Sequence, residues 1–437
     1  MHAPALELPR VGWSSQPLLA RRAASVRMDV LLFSAVAAIV AVHAAVDSFI
    51  GTEPGTGPEN HLLRGSMSLA LIGLAVAVYP RLAKGGRAAL AAVLGTLALE
   101  GAALAIADAR AAGARGEDWT GFVLVPVGLL LCALAVVLLW RSRKPGRFRY
   151  LRRGAIALMT VIVAYVLVVP VAMGILATHR PRAAVEPADL GRPYEEVTLR
   201  TSDGLNLAAW YVRSRNGAAV ISYPTRHGKL PQARMLVRHG YGVFLLDARG
   251  YDGSDGDPNL FGWSDAKDID AAVAWLQRRP DVEGGRIGGI GFSVGGEMLL
   301  QAAASNTGLR AVVSEGAGAR SIREELLRGP QGWLALPEAV LQTAAVAVMS
   351  GTAPPPSLTD LLPQIAPRST FLIYAGRGAG GEELQPHYFE ALRQPKTIWM
   401  IPEAGHTGGL SARPNEYERR VVGFFERTLF PGGEDTS

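Results

Sequence analysis

At 437 residues, with 49% hydrophobic composition, a formal charge of +6 and one cysteine, the chain is too long for one ordinary domain and fits two. The single thiol, Cys132, falls in an apolar run. This excludes a disulfide framework and leaves the C-terminal half without a catalytic thiol or a cysteine-based metal site.

The basic balance does not indicate a nucleic-acid footprint, because many arginines cluster beside apolar stretches, as membrane topology signals do. Residues 1–27 form a basic tail carrying Arg10, Arg21, Arg22 and Arg27. A helix needs about twenty apolar residues to cross the hydrocarbon core. Five stretches approach or meet that length: 28–50, 63–80, 88–108, 121–140 and 155–177. The first is no simple cleaved signal peptide, since its apolar core is too long and four more candidates follow. The second is ended early by Pro80 and Arg81.

Basic residues set the expected orientation. The tail, the linker with Arg81, Lys84 and Arg87, and the segment RSRKPGRFRYLRR (141–153) are rich in cations. The alternate loops are poorer: 51–62 has no lysine or arginine, and 109–120 sets Arg110 and Arg115 beside Glu117 and Asp118. The positive-inside rule then predicts a multi-pass protein of the cell membrane with a cytoplasmic N-terminus, a membrane region over 28–178, and everything beyond it outside. Losing the second span would reverse that result. Within the region His43, Asp47 and Glu100 are ionisable and costly in lipid. His43 and Asp47 lie four residues apart near an outer helix end, where they share a face and reach headgroup water. Glu100, nearer mid-span, is expected to be a buried hydrogen-bonding residue, with functional coupling as the alternative.

A Pro-containing polar linker (179–193) leads to a second region, 194–430, with a short tail at 431–437. Strand-like runs occur at 194–200, 206–213, 218–223, 242–247, 286–292, 309–315, 370–376 and 396–401. Helical patterns lie between them at 230–239, 265–279, 294–305, 386–393 and 414–429. This alternation, with continuous apolar strands, predicts a doubly wound, mostly parallel α/β sheet preceded by two hairpin-like strands. An insertion at 317–368, with helical apolar stretches around Trp333 and Leu334, predicts a cap over a cleft; an ordinary packing excursion is the alternative.

GFSVGG (291–296) joins the strand at 286–291 to the helix at 294–305. A G-x-S-x-G turn in that setting holds its serine in a strained conformation with the hydroxyl above the sheet. The helix starting at Val294 aims its positive end at Ser293, where it favours a developing oxyanion.

With GFSVGG, DARGYDGSDG (247–256) after the fourth main strand, and GHTGG (405–409) after the last, the stretch 194–430 resembles the α/β-hydrolase superfamily, near its dienelactone-hydrolase-like and acyl-peptidase-like members. The resemblance implies a nucleophile, acid, histidine order met by Ser293 and His406. It places the acid after TFLIYAG, where GRGAGGEELQP (376–386) has no aspartate and offers Glu382 or Glu383, with Glu382 preferred on its distance from Pro386. His227 and His239 precede the nucleophile and His387 begins a helix. The oxyanion donors implied are the Val294 amide and an amide from SYPTRHG (222–228). Pro224 has no N–H there, which leaves Tyr223 or Thr225. Arg226 and His227 in this loop offer contacts to an anionic or polar substrate, with a solvated loop as the alternative.

The function expected is a membrane-anchored serine hydrolase acting on ester-like or amide acyl bonds of a small-molecule or lipid-like substrate. It would use no metal or organic cofactor and bind no nucleic acid. The alternatives are a non-catalytic binding or sensory module and an acyltransferase acting on envelope lipid or glycan.

Overall fold

A computed structural model describes residues 16–112, 118–141, 168–182, 185–378 and 381–430, with residues 151, 155 and 166 between them. The apolar half contains helices α1 (Gln16–Phe49), α2 (Leu62–Val78), α3 (Lys84–Ala112), α4 (Asp118–Arg141) and α5 (Val169–Thr178). The expected span at 155–177 lies largely outside the described residues, and α5 is its described end. Helices α1, α3 and α4 share a core of Phe33, Ala37, Ala98, Leu124 and Leu131. Small residues let α3 and α4 close on each other: a Cβ added at Gly95 would lie 3.0 Å from the Gly128 carbonyl oxygen. The His43 ring bonds Thr120 at 3.0 Å, while the Asp47 carboxylate lies 3.6 Å from both Arg64 and His179. Glu100 departs from expectation. Both its carboxylate oxygens are buried with no hydrogen-bond partner among the described residues.

The second half is an eight-stranded sheet ordered β1-β2-β4-β3-β5-β6-β7-β8. Its strands are β1 (Glu195–Arg200), β2 (Asn206–Val212), β3 (Ala219–Tyr223), β4 (Gly242–Leu246), β5 (Ile287–Phe292), β6 (Ala311–Glu315), β7 (Ser369–Arg377) and β8 (Lys396–Gly405). Strand β2 is antiparallel to both its neighbours, β1 and β4; the other pairs are parallel. Period-two alternation divides the apolar side chains between two covered faces. Ile221, Tyr223, Phe244 and Leu246 face one core with α7 (Ala266–Leu276) and α8 (Val294–Ser305). Val220, Val243 and Leu245 face the other, covered by α6 (Leu230–Arg238) and α14 (Pro414–Leu429). The glycines of β5 have a packing cause. A Cβ at Gly288 would meet Phe425 of α14 at 2.7 Å, and one at Gly289 would meet Leu299 of α8 at 2.8 Å.

Between β6 and β7 run α9 (Ile322–Leu327), α10 (Pro330–Ser350) and α11 (Leu358–Leu361); α12 (Gln385–Ala391) and α13 (Gly409–Ala412) complete the set. The insertion divides in two. Leu358, Leu362 and Ile365 are buried in the main core, whereas α10 packs along α5 and contacts α2. Among the described residues five helices are long and apolar enough to cross a bilayer: Met28–Phe49, Pro58–Arg81, Lys84–Ala107, Asp118–Trp140 and Pro330–Ser350. The fifth is the insertion helix itself.

The two halves are clasped by the loop after α1. His61 bonds Asp257 at 2.8 Å, the Gly256 amide donates to Pro54 O at 2.8 Å, and Arg182 pairs with Glu53 at 2.8 Å while its guanidinium also donates to Ser254 O. This gives DARGYDGSDG a structural role. Arg249 donates from Nη2 and Nε to Asp268 at 2.6 and 3.0 Å and also reaches Asp203. Asp268 is fully buried, so its replacement by alanine leaves the mostly buried guanidinium with only the more exposed Asp203 and should cost about 3 kcal/mol. Asp203→Ala, at a half-exposed carboxylate, should cost about 1 kcal/mol or less. Thermal unfolding of the detergent-solubilised variants ranks the two.

Candidate active site

Ser293 has φ 54° and ψ −126°, a strained backbone for a non-glycine residue. The glycines around it make the turn possible by close approach. A Cβ at Gly291 would fall 2.3 Å from Gly295 O, one at Gly295 would fall 2.6 Å from Tyr223 O, and one at Gly296 would strike Ser314 Oγ at 2.4 Å. The Ser293 amide donates to Glu315 O at 2.8 Å, tying the turn to the end of β6. Val294 is the first residue of α8, so its N–H has no partner within the helix and remains available to a ligand.

His406 ends up beside this turn because β8 pairs with β7, β7 with β6 and β6 with β5. Gly316, next to the residue that anchors Ser293, lies so close that a Cβ there would meet His406 Cε1 at 3.3 Å. His406 Nδ1 forms a short hydrogen bond with Glu382 Oε1. Glu382 is 2% exposed, and its Oε2 accepts the Ala375 amide at 2.7 Å. The hydrogen bond to Glu382 raises the His406 pKa above its ordinary value, against the opposing effect of burial. Glu383, the other sequence candidate, points away and pairs with Arg328 at 2.6 Å. Burial pushes its carboxyl up, but the Arg328 guanidinium overrides this and holds it below the usual range.

The loop after β3 differs from expectation. Arg226 does not enter the cleft: its amide and Nε donate to the Asp247 carboxylate at 2.7 and 2.6 Å in a buried pair. His227 is exposed and packs edge-on to Trp210 at 5.0 Å. Tyr223 is buried with its hydroxyl on Asp265 at 2.8 Å, while Thr225 is half-buried. The turn of this loop lies against Gly295, through Tyr223 O and Pro224 Cδ. His239 pairs with Glu418 at 2.8 Å on the surface, and His387 is exposed on α12.

Three residues of the site carry no motif. Lys229 donates to Thr407 O and Oγ1 at 2.8 and 2.9 Å. Glu315 accepts the Gly409 amide at 2.8 Å and the Tyr417 hydroxyl at 2.6 Å. Together they fix the turn that follows His406. Glu297 accepts the Gly318 amide at 3.1 Å, and burial pushes its carboxyl up to about 7 against the pull of Arg320. Its place one helical turn after Ser293 was the only sequence signal for it.

Ser293, Val294, Glu297 and His406 open into one cavity of about 360 Å³. Phe261, Trp263 and Arg320 wall it, and Ala339, Gln342, Thr343 and Val346 of α10 roof it. Among the described residues no group of three or more His, Cys, Asp or Glu is placed to hold a metal ion.

A mostly parallel sheet with a strained serine at the strand-to-helix turn and a histidine after its last strand defines the C-terminal half as an α/β-hydrolase domain. A family model described as X-Pro dipeptidyl-peptidase (S15 family) matches residues 186–366, which include Ser293 and stop short of Glu382 and His406. The α/β hydrolase domain-containing protein WAV2 of Arabidopsis thaliana is 30% identical over 149 residues, 32% of this chain and 46% of its own length, so the chain spans less than half of that relative. The uncharacterized protein YfhR of Escherichia coli strain K12 is 25% identical over 256 residues, covering 54% of this chain and 82% of that one. Among solved structures, an esterase of Pyrococcus furiosus superposes with a TM-score of 0.49 at 23% identity, over 58% of this chain and 98% of its own.

The two glutamates are separable by titration. In an NMR titration of the imidazoles, Glu382→Gln should lower the His406 pKa, whereas Glu383→Gln should leave it within about 0.3 units, because one pKa unit corresponds to about 1.4 kcal/mol of differential interaction and only Glu382 touches the ring.

Proposed function

We propose that this protein is a membrane-anchored serine hydrolase that cleaves ester-like acyl bonds through Ser293, His406 and Glu382. The observation that carries the reading is the buried carboxylate of Glu382 on Nδ1 of His406, at the rim of the cavity into which Ser293 opens. Glu382 fixes the tautomer that leaves Nε2 free to accept a proton and stabilises the imidazolium that follows. His406 takes the Ser293 proton as Oγ attacks the carbonyl carbon. The Val294 N–H, with an amide of Tyr223 or Thr225, receives the charge that develops on the carbonyl oxygen. The imidazolium returns its proton to the leaving group, and an acyl-enzyme remains. Water then attacks the acyl carbon, gives its proton to His406, and Ser293 leaves with that proton.

The apolar helices of the first half, with the cation-rich segments 1–27, 81–87 and 141–153, support an anchor in the cell membrane with the hydrolase domain outside it. The match to the X-Pro dipeptidyl-peptidase model favours a second reading, cleavage of a peptide amide by the same residues.

Ser293→Ala should abolish labelling by a fluorophosphonate probe and reduce turnover of p-nitrophenyl acyl esters by at least about 10³-fold while the protein stays folded. Equal labelling of the variant sinks the proposal. Faster turnover of X-Pro p-nitroanilides than of the esters selects the peptidase reading.

A further inference from the structure

Helix α10 presents three faces to three surroundings. Ala339, Gln342, Thr343 and Val346 line the cavity that holds Ser293 and His406. Behind them the helix closes on α5, where a Cβ at Gly174 would lie 2.7 Å from that of Ala345. Ala177, Trp263 and Val346 are buried together at this seam. Among the described residues the third face is uncovered: Trp333, Pro337, Val340 and Ala344, spaced four, three and four residues apart, are exposed, with Leu334 beside them. Trp333 is 64% and Leu334 84% exposed, an unusual state for a tryptophan and a leucine on one helix.

The helix is long and apolar enough to cross a bilayer, and the sheet forbids it to. The chain enters α10 from β6 and leaves it towards β7, and these strands pair in parallel from Ala311–Ser369 to Glu315–Ile373. Both ends of the insertion therefore lie on one side of any membrane. A helix unable to span and packed along the last apolar segment before the sheet needs another cover for this face. The acyl region at a membrane surface would supply one, with the helix lying in the surface plane. The wall of the cavity is joined to the same seam, because the Leu260 amide donates to Ala177 O at 2.8 Å and Phe261 and Trp263 follow directly.

We propose that α10 is an interfacial gate, and that Ser293 acts on an acyl ester of a membrane lipid that passes sideways from the bilayer along the Trp333–Val340 stripe into the cavity. The proposal rests on the serine-hydrolase reading above and names its substrate class. At about 360 Å³ the cavity is near the lower end of small-molecule sites, roughly 300 to 1,000 Å³. It takes the scissile ester and the start of one chain, while the remainder of a two-chain lipid stays in the bilayer against the stripe.

The test uses the full-length protein in vesicles of phosphatidylethanolamine and phosphatidylglycerol. Wild type should release fatty acid from these lipids and also cleave p-nitrophenyl butyrate. The double variant Leu334→Lys/Val340→Lys should lose at least tenfold on the vesicle lipids and stay within twofold on the soluble ester. Independently of activity, lipids brominated near the ester should quench a component of the tryptophan emission that Trp333→Phe removes. An equal loss on both esters, an unquenched Trp333, or a wild type that cleaves the soluble ester but never the lipid overturns the gate and leaves the hydrolase reading intact. A double variant that instead separates a wild-type dimer into monomers also overturns it, by showing that a second copy covers the stripe. Failure of wild type on both esters, with fluorophosphonate labelling unaffected by Ser293→Ala, strikes at the hydrolase reading itself.

Discussion

The parallel hydrogen bonds between β6 and β7 hold the molecule to its plan. They bring together two stretches of chain separated by the whole insertion, so that Glu315 at the end of one strand lies opposite Ile373, midway along the other. Everything C-terminal to that pairing, including Glu382 and His406, depends on it to reach Ser293. The same pairing bars α10 from crossing a membrane, and that restriction turns an apolar helix into a roof over the site. A parallel pair cannot be closed by a tight turn, and here the required crossover became the element that packs against the apolar half.

Buried carboxylates then convert a sheet into a site. Asp247, Glu315 and Glu382 all lie at or beyond the carboxyl ends of strands; the first two accept backbone amides of Arg226 and Gly409, and Glu382 accepts the Ala375 amide of β7. Glu315 contributes twice, since its backbone oxygen anchors the Ser293 turn and its side chain anchors the loop after His406. Burial raises the pKa of its carboxyl, and the Tyr417 and Gly409 donors pull the other way. Positions fixed by such bonds tolerate little rearrangement, because a lost partner leaves a desolvated charge behind.

Much of this was legible in the sequence, for reasons that differ by element. GFSVGG announced its turn because three glycines are forced by close approach to Gly295 O, Tyr223 O and Ser314. Strands β3 to β6 were legible because each is buried on two faces, leaving continuous apolar runs. Glu382 could be preferred over Glu383 by spacing alone, yet only the fold shows one facing His406 and the other Arg328. Arg226 was misleading. A basic residue in a cleft loop suggests a substrate contact, but its partner Asp247 lies twenty-one residues away and no local pattern links them. Lys229 and Glu315 were invisible for the same reason.

By itself the sequence determined what local chemistry decides: apolar segments long enough for a membrane, the alternation that makes the sheet, and the serine turn with its flanking glycines. These follow from period, length and the space around a Cβ, all properties of neighbouring residues. Only the tertiary structure decided which glutamate meets the histidine, that Arg226 is consumed by a buried pair, and that the apolar helix at 330–350 packs along α5 and roofs the cavity. Those outcomes depend on the pairing of strands far apart in the chain, where the free energy of burial is shared among segments that no local window contains.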